Sequence, residues 1–280
     1  MTTAPSTAPS PRRWRDAAGD LLLGSSCHGC GVPAWTLCEV CRAALVASPA
    51  RPTRPEPCPA GFPRTWTAGS YDALARGLVS AHKERSALAL TRVLGERLAL
   101  AVLSLLDEAG DRVGDGPVHG QGGAVVLVPV PSARRAVRAR GFDAGLALAR
   151  SAATRLPQAR AGPLLTSTRR VADQSGLGAT QRQENLAGAF RVRAPRPWSR
   201  GAWPPEGPAV TVVVVDDVVT SGASIAEAVR ALSAGGVQVL GAATVAATVR
   251  RTSLRGAGGE VHSEAAGGGR PARPGHGPGV

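Results

Sequence analysis

The sequence predicts an α/β fold, a parallel β-sheet flanked by helices, behind a small cysteine-rich N-terminal module. Three observations predict it. The run Val210–Ser224, VTVVVVDDVVTSGAS, is a β-branched stretch ending in Asp216 and Asp217, then a small-residue turn, then a helical pattern. Such a run bounded by a turn signal reads as a buried parallel strand. Upstream, short apolar strand-like segments alternate with longer helix-like ones, the order that builds a parallel sheet. Near the N-terminus, Cys27-x-x-Cys30 is followed by Cys38-x-x-Cys41.

The elements follow in chain order. Residues 1–11 are rich in Thr, Ala, Pro and Ser and are expected to be disordered. Arg12–Leu23 can form a short helix leading to the first cysteine. Two C-x-x-C knuckles seven residues apart can supply four thiolates, from Cys27, Cys30, Cys38 and Cys41, to one tetrahedral structural Zn2+. The other reading is a redox C-x-x-C, but no thioredoxin-like strand precedes it. His28 lies inside the first knuckle, where four cysteines already complete the shell. Cys58 stands alone, and the proline-rich residues 48–64 read as a linker or an irregular second ribbon. Residues 12–64 are thus a zinc-ribbon region and linker.

From Ser86 to Leu106, the spacing of Leu88, Val93, Leu94, Leu98, Val102 and Leu105 fits an amphipathic helix. Residues 107–123 carry Gly and Asp and read as a loop. Val125–Val130 is a short strand, Gly141–Leu156 a helix, and Leu164–Thr166 a second strand. Residues 194–208, rich in Pro and Trp, read as a loop insertion. After the acidic strand come a helix, Ser224–Ser233, and a last strand, Val237–Val249. Ser224 and Glu227 fit a capping box. The Gly-, Ala- and Pro-rich residues 251–280 are expected to be a disordered tail.

Composition excludes some classes. The chain has 280 residues, 43% hydrophobic and 3% aromatic, so Val, Leu and Ala must fill the core. No stretch of 18 apolar residues suggests a membrane span, and the N-terminus lacks the apolar core of a signal peptide, so a cytoplasmic protein is expected. Lys83 is the only lysine and lies in no glycine-rich loop, and no G-x-x-x-x-G-K-[ST] stretch occurs, which argues against a P-loop NTPase. The net charge of +13 is concentrated in residues 131–200, where fourteen arginines face Asp143, Asp173 and Glu184 for a net +11. That field suits pyrophosphate or a nucleic-acid backbone, or is a solvated surface.

The chemistry centres on the acidic strand. In open α/β sheets, ligands bind beyond the carboxyl ends of parallel strands. Two carboxylates there can accept hydrogen bonds from the two hydroxyls of a ribose. The turn after them can offer N–H groups and hydroxyls to a phosphate at a helix N-terminus. A Walker B strand or a metal-binding turn are the other readings of an apolar strand ending in acids. Ribose plus phosphate, read by one short loop, points to a phosphoribosyl group.

The run resembles the signature of type I phosphoribosyltransferases, and the chain as a whole resembles the ComF family of competence-protein-F-like proteins. Three further stretches carry the resemblance: VPVPSARRAVRARGFD from Val128, TRRVADQSGLGATQRQENLAGAF from Thr168, and YDALARGLVSAHK, Tyr71–Lys83. The resemblance implies a type I phosphoribosyltransferase-like sheet over residues 65–250, with phosphoribosyl pyrophosphate and Mg2+ as ligands and a zinc ribbon in front. It implies that Asp216 and Asp217 hold ribose hydroxyls or metal-bound water. Val219, Thr220, Ser221, Gly222, Ala223 and Ser224 would hold the 5′-phosphate, and Ser132, Ala133 and Arg134 the pyrophosphate. Arg169, Gln174 and Arg182 would belong to a mobile lid. Arg140 either serves the pyrophosphate or is a structural cap. Lys83 either covers the ligand or packs its stem along a helix. A role in DNA uptake is also implied. The alternative is a non-catalytic phosphoribosyl sensor whose zinc knuckle and arginines hold single-stranded DNA, although the low aromatic count weakens a stacking platform.

Overall fold

The computed structural model describes residues 26–113, 124–168, 186–193 and 210–248. The expectations for residues 1–11, Arg12–Leu23, the lid residues Arg169, Gln174 and Arg182, the 194–208 insertion and the tail lie outside the described residues.

Eight strands and six helices are described: α1 Glu39–Ala47, β1 Arg51–Pro52, β2 Thr65–Thr67, α2 Ala73–Glu84, α3 Leu90–Val113, β3 Val125–Pro129, α4 Arg134–Arg140, α5 Ala144–Ala153, β4 Ala159–Ala161, β5 Leu165–Ser167, β6 Phe190–Val192, β7 Thr211–Val219, α6 Ala223–Ala234 and β8 Gly241–Ala247. Six strands form one sheet in the order β1-β2-β8-β7-β3-β4. All its neighbours are parallel except β1 and β2. β5 and β6 form a separate antiparallel pair. The expected α/β class, with its mostly parallel sheet and flanking helices, is the observed one.

β7 lies at the centre because its side chains are apolar on both faces. Val213 and Val215 join the core under α3 and α5, with Leu94, Leu98, Leu105, Leu127 and Leu148. Val212 and Val214 join the core under α6, with Val128, Ile225, Ala228 and Leu232. Successive side chains of a strand point to opposite faces. Each such valine, fully buried, stabilises the fold by ~1.5–3 kcal/mol. β3 pairs with β7 in the register Val128↔Val214 and Pro129↔Val215, which sets the ends of the two strands side by side.

Several element boundaries differ from expectation. The long helix starts at Leu90, leaving Leu88 58% exposed, and it runs on through residues 107–113, which were expected to be loop. The expected helix Gly141–Leu156 is two helices. Gly141 adopts φ 76° as the C-cap of α4, and Asp143 restarts the chain as the N-cap of α5, accepting from the Leu146 N–H at 3.2 Å. That left-handed turn is a glycine conformation. β4 pairs with β3 although its sequence, Ala-Arg-Ala, carries no strand signal. The expected strand at Leu164–Thr166 is β5, outside the main sheet. The last strand spans Gly241–Ala247 rather than Val237–Val249, because Gly235 and Gly236 end α6 and Val237 caps it by donating to Leu232 O at 2.9 Å. β1 brings part of the expected 48–64 linker onto the sheet edge. Tyr71 lies in no strand and precedes the α2 N-cap, Asp72, which accepts from Ala75 N–H at 2.9 Å.

The cysteine module packs on this frame. Cys27, Leu37, Cys41 and Leu45 share a core with Leu78, Ala81 and Leu94. A Cβ on Gly29 would come within 2.6 Å of Leu74 Cδ1, and one on Gly77 within 3.1 Å of the His28 carbonyl, so the knuckle backbone lies directly against α2. Arg97, 6% exposed, donates through Nη2 to the carbonyls of Ser48 and Ala68, tying the end of α1 to the end of β2.

Candidate functional site

The strand that carries the acids delivers them to opposite faces. Asp216 follows the parity of Val212 and Val214 and lines a cavity of about 260 Å³ formed with the segment Val218–Ile225. Asp217 follows the parity of Val213 and Val215, is 4% exposed, and forms an ion pair through Oδ2 with the Lys83 ammonium. Its Oδ1 accepts from its neighbour Val218 N–H at 2.7 Å. Asp216 Oδ1 accepts from Asp217 N–H at 2.9 Å.

The electrostatics follow from this crowding. Burial, then the charge of Asp217, pushes Asp216 up to about 7, against the pull of Lys83. Burial works to lower Lys83, but the carboxylates of Asp217 and Asp216 hold it above its ordinary value. Lys83 sits in the last turn of α2 beside His82, whose Nε2 is 3.0 Å from Thr91 Oγ1. The His82 ring meets Phe142 edge-on at 5.5 Å, which brings the end of α2 to the α4–α5 junction. Burial lowers His82 below its ordinary value, against the carboxylate of Asp217.

The other wall of the cavity is the turn into α6. Gly222, at φ 74°, is the N-cap, and the helix begins at Ala223. The expected capping box is absent. Ser224 already lies within the first turn, and Gly222 offers no side-chain oxygen. Glu227 is drawn elsewhere. It is 6% exposed and accepts from Phe190 N–H at 3.1 Å and from Arg230 Nε and Nη2 at 2.6 and 2.8 Å. A Cβ at Gly222 would lie 2.7 Å from the Phe62 ring and 2.8 Å from Pro55 Cγ. Thr220, Ser221, Gly222, Ala223 and Ser224 therefore share one concave wall with Asp216 at a helix N-terminus, where N–H groups and the helix dipole favour an anion.

The β3–α4 loop lies at the same end of the sheet. Val130 N–H continues the ladder to Val215 O at 3.0 Å. Ser132 Oγ donates to Asp143 Oδ1 at 3.1 Å, so this hydroxyl ties the loop to the α5 N-cap. Ala133 and Arg134 are exposed at the start of α4. None of these three lines the cavity around Asp216.

The four cysteines come together. Their sulfurs all lie within 4.8 Å of one another. Cys27 Sγ accepts from Gly29 N–H at 3.4 Å and Cys38 N–H at 3.3 Å, and Cys38 Sγ accepts from Cys41 N–H at 3.5 Å. Burial works to raise Cys27, but the N–H groups of Cys38, Cys30 and Gly29 bring it down to about 6, as a thiolate ligand requires. A tetrahedral zinc with ~2.3 Å bonds needs sulfurs about 3.8 Å apart, which this cluster can meet. Cys58 is outside it, with its thiol 3.6 Å from Pro59 O.

Sequence reasoning missed two parts of the site. The Lys83–Asp217 pair was hidden because α2 and β7 lie far apart in the chain, and only the singularity of that lysine hinted at it. The Pro55–Phe62 cover on Gly222 had no local signal. No helix among the described residues is long and apolar enough to cross a membrane. Residues 143–258 match the phosphoribosyl transferase domain, from the α5 N-cap through β7, α6 and β8. No curated protein matches the chain.

Proposed function

We propose that the cavity binds phosphoribosyl pyrophosphate and that the protein transfers its phosphoribosyl group to an acceptor, releasing pyrophosphate. The carrying observation is that Asp216 and the Val218–Ile225 turn line one cavity within the segment matched to the phosphoribosyl transferase domain. Asp216 faces the ribose hydroxyls. The Thr220–Ser224 N–H groups and hydroxyls take the 5′-phosphate at the start of α6. In the reaction the bond from C1 to the pyrophosphate oxygen breaks, its electron pair leaves with pyrophosphate, and the acceptor atom bonds to C1 and gives its proton to water. Asp216 would hold Mg2+ at the cavity, an oxygen donor of the kind this ion prefers, and the ion would supply neutralisation of the leaving group. Most of the catalysis is then positioning and charge stabilisation.

The assignments of Ser132, Ala133 and Arg134 to pyrophosphate, and of residues 65–250 to the transferase domain with 12–64 in front, belong to this reading. The first is supported by the β3–α4 loop and the turn into α6 lying at the same end of the sheet, and the second rests on the resemblance. Zinc in the cysteine cluster, a ComF-type role in DNA uptake and a cytoplasmic site of action complete it, on the resemblance and the fit of the four thiols. Titration of phosphoribosyl pyrophosphate with Mg2+ into wild type and Asp216→Asn, with pyrophosphate release assayed over a panel of nucleobases, tests the reading. Saturable binding lost in Asp216→Asn is expected, and no binding to the wild type would refute it.

One observation favours binding without turnover. Among the described residues, the only titratable side chain lining the cavity is Asp216, so no separate general base stands ready for an acceptor. In that reading the exposed Arg134, Arg135 and Arg138 of α4, a helix with no acid, face a single-stranded DNA backbone. Ligand binding with no pyrophosphate release from any acceptor would select it.

A further inference from the structure

Lys83 is the chain's only lysine, and the structure sets it on the one acid of the pair that does not line the cavity. Its helix is fixed at both ends. Asp72 caps the start, while His82 reaches Thr91 and Phe142 at the other end. The ammonium therefore arrives from the α2 face, opposite α6, where β7 turns Asp217 inward. Asp217 has its second oxygen on the Val218 N–H and is left with no side open to a ligand in the cavity.

We propose that Lys83 is the positioning residue of the phosphoribosyl site: it neutralises and holds Asp217, so that the sheet edge presents one carboxylate, Asp216, to the ligand. This rests on the phosphoribosyl reading of the cavity. A diphosphate ester carries several negative charges. Two uncompensated carboxylates side by side would repel it, whereas one carboxylate balanced from behind can engage the ribose hydroxyls. Lys83 acts through Asp217 and makes no contact with the ligand. The two adjacent acids have different tasks, which their adjacency in sequence conceals.

The test is a charge-compensation series on the full-length, zinc-loaded protein. Phosphoribosyl pyrophosphate affinity is measured by calorimetry at fixed Mg2+ for wild type, K83M, K83R, D217N and K83M/D217N, after circular dichroism has shown that each folds. K83M is expected to weaken binding at least tenfold, and K83R to restore most of the loss. K83M/D217N is expected to bind at least fivefold more tightly than K83M, since removing the orphaned charge replaces the lost cation. Unchanged affinity in K83M overturns the proposal. A double variant as weak as K83M also overturns it, because Lys83 would then act on the ligand directly. A second readout needs no ligand. Lys83 carries the only side-chain amine, so its acetylation rate is read by peptide mass. D217N is expected to acetylate at least fivefold faster than wild type, and equal rates overturn the pair itself. If the wild type binds no phosphoribosyl pyrophosphate, the functional reading fails and the ligand half of the proposal fails with it, while the acetylation result still decides the pair.

Discussion

Asp216 reports on the site through its proton. Its carboxyl is held up to about 7 in the folded chain by burial and by Asp217, against an ordinary value of 3.8. The folded state therefore holds a proton that the unfolded chain has released between those values. Its stabilising contribution is present in full below the unfolded value and is lost as pH rises through about 7. In ligand-free protein, Asp216→Asn should gain stability over wild type between pH 4 and pH 8, on the order of 4 kcal/mol. Urea melts at the two pH values measure it, and parallel curves would refute the burial argument. Ligand affinity should run the other way, rising from pH 6 to pH 8 as the carboxylate forms. Gly222 gives a second test. At φ 74°, with a Cβ position 2.7 Å from the Phe62 ring, Gly222→Ala must both strain the backbone and displace Phe62 or Pro55. A loss of about 2–4 kcal/mol is expected in denaturant unfolding, together with loss of phosphoribosyl pyrophosphate binding.

Helix α2 is the element through which the cysteine module reaches the site. The knuckle backbone touches Leu74 and Gly77 near its start, and Lys83 meets Asp217 at its end. Wild type is expected to carry one zinc per chain by metal analysis, and stripping it with a strong chelator, or Cys27→Ser, should raise hydrogen exchange in α2 before the central strands and speed Lys83 acetylation severalfold. Unchanged exchange in α2 would show that the knuckle stands apart from the site. On the other face, α6 is pinned to β6 by Glu227. Glu227→Ala leaves the Phe190 N–H and the Arg230 guanidinium without their buried acceptor. That should cost about 2–3 kcal/mol, read by thermal or denaturant unfolding.

At the scale of the molecule, the sheet order brings separate loops to one edge. β7 sits between β8 and β3, so the turn into α6 and the β3–α4 loop emerge side by side. Lys83 then reaches Asp217 from α2, while α4, which follows the β3–α4 loop, carries exposed arginines at that end of the sheet. If α4 holds a nucleic-acid backbone, the affinity for a single-stranded oligonucleotide should fall steeply with salt, and Arg134→Ala with Arg138→Ala should lower the log–log slope by about 1.4. A slope unchanged by that pair of substitutions would remove α4 from any such contact.

The central strand, its acids, the turn behind them and the four-cysteine spacing were legible because each depends on neighbours a few residues away: two-residue alternation, a small-residue bend, a chelate spacing. The capping box at Ser224 and Glu227 failed because the Glu227 carboxylate found Phe190 and Arg230, and the turn preferred a left-handed glycine. β4 was invisible because its pairing with β3, not its own composition, makes it a strand. Only packing assigned Asp216 to the cavity and Asp217 to Lys83, since the face a side chain meets depends on which helix covers that side of the sheet.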